Sequence, residues 1–179
     1  MAPRSEVPRE IAVPISIFAA LRASLAGEVG ELGAIHALHN AGFSAGVAAA
    51  EAFRGGPGDD VLGLSEEDFW SRLTLFFARR GWGTLSHQAL HQAVGTLTSP
   101  DWTEAASDGG EQASCSFSTG FLAGLLSTLA GGDVAVLEVA CRGRGDDACA
   151  FAFGNAAAIH EVYGRLLEGS DLAGALTAL

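Results

Sequence analysis

The sequence predicts a single domain of the mixed α/β class, in which helices rich in small apolar residues precede a C-terminal β-hairpin. The 179 residues are 49% apolar and 17% charged, a size and composition typical of one domain with a packed core. Two short strand-like runs, Val134–Ala140 and Cys149–Phe153, flank the glycine-rich segment Arg142–Asp147. Because β-branched and aromatic runs bounded by glycines favour strands, these three segments predict a hairpin.

The N-terminal half is predicted to be helical. Residues 15–26 suit one helix, and residues 30–53 suit a second that is dominated by alanine and glycine. Gly42 and Gly46 each lower helix propensity by about 1 kcal/mol relative to alanine. We expect this cost to be offset by close packing of another element against the helix.

The remaining elements follow from capping signals. Ser65, followed by three acidic residues, predicts the start of a helix. A second helix is expected over residues 116–130, where Gly131 and Gly132 would end it, and Asn155 can cap a last helix. Residues 84–98 suit either helix or strand. Residues 1–12 and 169–179 are expected to be tails around one domain at 13–168.

Charge and residue types exclude several functions. The net charge of −11 repels phosphate backbones, so a nucleic-acid partner is not expected. All ten basic residues are arginine, which excludes lysine Schiff-base chemistry and a lysine-containing phosphate loop. Two long stretches without Asp, Glu, Lys or Arg, at residues 32–50 and 112–132, carry too many polar residues for a membrane span. No secretory signal is evident. We therefore expect a cytoplasmic protein.

The three cysteines and one glutamate are the candidate metal ligands. Cys141 and Cys149 flank the hairpin turn, Glu138 precedes Cys141 by three residues, and Cys115 opens a helix. Zinc prefers four such ligands in a tetrahedral arrangement. Glu138 and Cys141 have opposite parity on a strand, so both can face one ion only if the strand bulges near Val139. Spacing alone leaves open that the cysteines are small core residues.

The same segment resembles the C-terminal signature of the 4-vinyl reductase domain family. The matching positions are Cys115, Glu138-x-x-Cys141, Gly145-Asp146 and Cys149-x-Phe151. Residues 40–46 and 77–83 resemble two weaker blocks of that family. The resemblance implies an α+β fold with helices packed on an antiparallel sheet, often dimeric, with two strands within residues 84–98. It also implies zinc bound by the four candidate ligands, as in sensor domains of aromatic-responsive bacterial activators.

The resemblance also suggests where a ligand would bind. Sensor domains of the family contact their ligand through a tryptophan at a position comparable to Trp102. Phe117 and Phe121 would join it as pocket walls if a cavity is present. His87 and His91 could share a helix face as metal ligands, but they lack the glutamate of a zinc protease and would not pair on a strand.

Three functions are open at this stage. The first is a zinc-containing sensory module that binds a small hydrophobic or aromatic molecule and signals through a protein partner or a homodimer. The second is an interaction scaffold, because the family is similar to small subunits of the TRAPP vesicle-tethering complex. The third is an enzyme or accessory factor that reduces a tetrapyrrole vinyl group. We do not expect an enzyme, because a four-ligand zinc site has no open position and no acid–base pair is evident.

Overall fold

A computed structural model describes residues 10–55, 61–106, 115–177 and 179 of the chain. Its elements, in chain order, are α1 (Ser16–Arg54), α2 (Glu66–Ala78), β1 (Ser86–His91), β2 (Val94–Ser99), α3 (Ser116–Ala130), β3 (Ala135–Ala140), β4 (Cys149–Gly154), α4 (Ala156–Leu167) and α5 (Leu172–Thr177). The predicted α+β fold class and the two strands within residues 84–98 are therefore confirmed. Most of the predicted tail at 1–12 and the segment 56–60 lie outside the described residues.

The four strands form one antiparallel sheet in the order β1-β2-β4-β3. Neighbouring residues of β4 point to opposite faces. Phe151 packs with α1, α2 and α3 in one buried cluster, whereas Ala152 packs with α4 and α5 in another. The sheet is thus covered by helices on both faces.

Helices α1 and α3 pack with almost no space between their backbones. A Cβ atom added to Gly42 or Gly46 of α1 would overlap the backbone of α3, and one added to Gly120 or Gly124 of α3 would overlap the backbone of α1. Four glycines therefore form the contact between the two helices. This explains why a helix tolerates the unfavourable residues that the sequence shows.

Helix α1 is kinked at Gly30, where φ is 76° and ψ is 165°. This conformation is open to glycine but strained for other residues. The kink separates the two helical stretches that the sequence predicts, and it turns residues 16–29 onto the domain. Phe18 in this segment packs against the rings of Trp82 and Phe117, with centroids 5.5 Å apart in each case.

The predicted helix ends are also observed. The Ser65 hydroxyl accepts a hydrogen bond from the Asp68 N–H, and the Asn155 side chain accepts one from the Ala158 N–H. Gly131 ends α3 in the left-handed conformation. Residues 172–177, expected as part of a tail, form α5 instead, because Ala175 and Leu176 are buried against the sheet. No described helix combines the length and apolarity needed to cross a membrane.

Candidate functional site

Three buried cysteines converge where α3 begins and where the β3–β4 hairpin turns. Cys115 is the residue before α3, Cys141 follows β3, and Cys149 opens β4. The sulfur of Cys115 lies 3.9 Å from that of Cys141 and 4.0 Å from that of Cys149. All three sulfurs lie within 4.8 Å of one another, and all three residues are fully buried.

Glu138, the fourth predicted ligand, lies beside this cluster. Its Oε1 accepts a hydrogen bond of 3.0 Å from the Cys115 N–H, and its Oε2 forms a 3.2 Å ion pair with Arg144. The pairing of β3 with β4 shifts register between Glu138 and Ala140, which is the bulge that the sequence requires near Val139. The bulge turns Glu138 toward the cysteines, and Arg144 balances part of the negative charge.

The sulfur positions match the geometry of a tetrahedral zinc ion. Zinc–sulfur bonds of about 2.3 Å in a tetrahedron place the sulfurs roughly 3.8 Å apart, close to the two measured separations. Hydrogen bonds with Cys115 and Cys141 lower the pKa of Cys149 to about 4, whereas hydrogen bonds with Cys141 and Cys149 raise the pKa of Cys115. Burial, followed by the nearby Cys141, raises the pKa of Glu138 to about 7. The donor set therefore fits a zinc ion.

A second buried carboxylate, Glu104, fixes the start of α3. Its two oxygens accept hydrogen bonds from the N–H groups of Phe117 and Ser118, at 3.1 and 2.7 Å, and from the Ser118 hydroxyl. Arg22 of α1 lies 3.8 Å from Oε1. The first N–H groups of a helix have no partner within the helix. In α3 their hydrogen-bond acceptor is Glu104, which lies more than ten residues earlier in the chain. Sequence analysis missed Glu104, because a lone glutamate carries no spacing signal.

The three predicted ligand-binding aromatic residues pack together in the core near this end of α3. Trp102 is fully buried, and its Nε1 donates a 2.8 Å hydrogen bond to the Ser118 hydroxyl. Phe117 and Phe121 flank Trp82, whose ring centroid lies 5.6 Å from that of Trp102. Their role in ligand binding stays a prediction.

An apolar groove of about 570 Å³ opens at the opposite end of the sheet. Trp70 of α2 stacks on His87 of β1 with centroids 3.8 Å apart, and the ring of Phe153 lies 5.5 Å from Trp70. The C-terminal end of α3 contributes Leu126 and Leu129 to the same groove. Burial lowers the pKa of His87, and this effect outweighs the opposing effect of Glu66. Burial therefore favours the neutral form of the imidazole.

Sequence analysis did not identify this groove. It considered His87 and His91 only as a metal pair. Both histidines lie on β1 and line the groove together with Ala89 between them. Residues two apart on a strand share a face. The spacing of His87, Ala89 and His91 therefore indicates that their side chains lie on one side of β1.

The comparisons with known proteins agree with this architecture. Residues 100–155 match the V4R domain family. The fold is similar to the crystal structure of the phenol-responsive sensory domain of the transcription activator PoxR with phenol, at 19% identity and a TM-score of 0.68, covering 81% of this chain and 76% of that one. It is also similar to a vinyl-4-reductase family protein from Methanocaldococcus jannaschii, at 17% identity and a TM-score of 0.54, covering 81% and 83%.

A comparison with curated protein sequences finds no match. At identities below 20%, the two structural similarities establish the fold alone. The V4R match spans Trp102, Glu104 and all four candidate metal ligands, so it covers the segment on which the sequence resemblance rests. The resemblance of this chain to the 4-vinyl reductase (V4R) domain family is therefore confirmed over residues 100–155.

Proposed function

We propose that the chain is a sensory module that binds a small aromatic molecule in the groove beside Trp70. The observation that carries this proposal is the groove itself, whose aromatic walls and volume of about 570 Å³ lie in the range of small-molecule sites. The similarity to a phenol-responsive sensory domain supports the same class of ligand. Neutral His87 can accept a hydrogen bond from a ligand hydroxyl, so a phenol-like compound suits the site better than a hydrocarbon.

Calorimetric titration with phenol, and with toluene as an apolar counterpart, tests this proposal. Trp70→Ala removes the stacking surface, and we expect it to weaken phenol binding about tenfold. Tyr163→Ala serves as a matched control, because it removes a half-exposed aromatic ring from α4 that does not line the groove. We expect the control to bind phenol as the unchanged chain does.

The same titration distinguishes the groove from the aromatic core around Trp102. If Trp102→Phe abolishes binding while Trp70→Ala leaves it intact, the ligand sits among Trp102, Phe117 and Phe121, and the groove is not its site. Absence of binding to phenol and to related aromatic compounds would contradict the sensory proposal.

We also propose that Cys115, Glu138, Cys141 and Cys149 hold one zinc ion, which serves a structural role. The support is the match of sulfur separations to tetrahedral zinc and the position of Glu138 beside the cysteines. Three thiolates and one carboxylate fill the coordination shell, so no position is left for a reacting water. We therefore do not propose a catalytic function. Metal analysis by plasma mass spectrometry should give about one zinc per chain.

An interaction scaffold of the TRAPP type is the second candidate. One observation favours it: α1 exposes Leu32, Ile35, Phe43 and Val47, each at least 39% accessible. Exposed apolar side chains on one side of a helix are typical of protein interfaces. We propose that this side of α1 forms a homodimer in the cytoplasm, which either candidate function could use. A folded chain that binds no aromatic compound but is dimeric would favour the scaffold.

A further inference from the structure

Strand β1 has an outer edge that no other described strand pairs with, because it is the first strand in the sheet order. Every residue of β1 except His87 is exposed, whereas β2 beside it is mostly buried. Proteins usually protect such an edge with lysine, proline or a bulge. β1 contains neither lysine nor proline, and its only irregularity lies between Ala89 and His91. Residues 86–89 therefore present regular backbone groups to a partner.

A groove of about 730 Å³ lies between α2 and the first residues of β1. Ser86 and His87 form its strand side, and Ser71, Thr74 and Leu75 belong to its helix side. The Thr74 hydroxyl donates a 2.6 Å hydrogen bond to the Leu85 carbonyl, which joins α2 to the residue before β1. The Trp70–His87 stack is a wall shared with the apolar groove described above. A strand edge beside a helix is the arrangement in which an extended peptide can add as a further strand.

The charges of this second groove select the kind of peptide. Its acidic side chains are Glu66 and Glu67, and none of the arginines that the structure describes lines it. Leu75 is 52% exposed and offers an apolar contact between the helix and the strand edge. A peptide with a basic side chain near Glu67 and an apolar side chain near Leu75 would match both features.

A second copy of this chain matches the groove less well. Two β1 edges paired about a twofold axis would bring two α2 helices to the same face of the joined sheet. The acidic side chains of Glu66 and Glu67 from both copies would then lie on that face. Like charges across an interface oppose association.

We propose that the β1 edge and α2 bind an extended basic peptide segment of a partner protein by strand addition. The peptide pairs with residues 86–89, so about four of its residues form the added strand, roughly 13 Å long. Its basic side chain faces Glu67, and an apolar side chain contacts Leu75. This surface does not depend on ligand binding in the apolar groove, so either proposal can fail without the other.

A random-sequence display library of eight-residue peptides, selected on the full chain, tests the proposal. We expect enrichment of peptides in which arginine or lysine alternates with apolar residues. A synthetic peptide of the enriched sequence is then measured by fluorescence anisotropy. N-methylation of the alternate amides that face β1 should abolish binding, whereas N-methylation of the intervening amides should leave it nearly unchanged, because only one set pairs with the strand.

Charge reversal on the protein gives an independent readout. Glu67→Arg should weaken binding of the enriched peptide about tenfold, and the matched control Glu31→Arg, at an exposed position of α1, should have no effect. The proposal is overturned if no peptides are enriched, if those enriched lack basic residues, or if N-methylation of either set of amides has the same effect. It is also overturned if light scattering shows a dimer that the peptide dissociates, because the edge would then belong to a second copy.

Discussion

The two ends of α3 and β4 differ in almost every physical property, although the same two elements connect them. At one end lie the buried cysteines and Glu104, with the half-buried Glu138, each engaged by the others or by backbone amides. At the other end lies an open groove with aromatic walls. β4 runs from Cys149 to Gly154, so the two sites stand roughly 17 Å apart.

This difference shows how a small domain can combine a rigid region with a less stable one. Cross-linking by a metal and saturation of buried polar groups raise local stability. A region with exposed apolar surface has fewer contacts to break when it unfolds locally, so its local stability is lower. We expect the cysteine end to anchor the fold and the groove end to respond to a ligand. Each prediction below tests that division.

The largest effect should come from Cys141→Ser. Loss of one thiolate should release the zinc and lower the stability of the domain by several kcal/mol, because the binding free energy of a structural zinc is also folding free energy. Metal analysis and thermal unfolding measure both changes. Treating the unchanged chain with a chelator should lower its melting temperature in the same way.

Hydrogen exchange shows where Cys141→Ser acts. Protection should fall first at the start of α3 and in the β3–β4 turn, and later at the groove. A variant that keeps one zinc per chain and the same melting temperature would contradict the zinc assignment.

The next effect concerns Glu104, whose pKa burial raises to about 7. A carboxyl with a raised folded-state pKa contributes most stability below its unfolded pKa, near 4.5, and loses it as the pH rises through 7. Arg22 opposes this rise, and Glu104 in turn raises the pKa of Cys115. Relative to Glu104→Gln, the unchanged chain should therefore lose about 3 kcal/mol between pH 4.5 and 7.

Denaturant unfolding at several pH values measures this difference. Comparing the two proteins at each pH cancels the effect of metal release, which both share. Glu31→Gln, at an exposed position of α1, is the control. Its stability should follow that of the unchanged chain at every pH. Parallel pH profiles for Glu104→Gln and the unchanged chain would mean that Glu104 does not titrate in this window.

The smallest effect concerns the glycine contact that holds α1 against α3. Gly124→Ala places a methyl group against the backbone of Phe43 and should destabilise the domain by about 2 kcal/mol. Gly164→Ala is the matched control: it also lies in a helix, and its added Cβ would meet no atom within 4 Å. The control should stabilise by up to about 1 kcal/mol. Equal effects of the two substitutions would show that close packing is not needed.

Features set by local chemistry could be predicted from the sequence. The bounds of α3, the caps at Ser65 and Asn155, and the bulge near Val139 all follow from neighbouring residues. Glu104 could not be predicted, because its partners lie more than ten residues away and one of them is on α1. The Trp70–His87 stack joins two elements whose packing no local pattern reveals.

In mechanical terms, the kink at Gly30 in α1 is a hinge. Residues 16–29 form an arm of roughly 21 Å, and Phe18 and Arg22 on that arm contact the aromatic core and Glu104. A rotation of about 30° at Gly30 would move the end of the arm by about 10 Å, far enough to break both contacts. One pair of backbone dihedral angles thus decides whether these residues cover the start of α3.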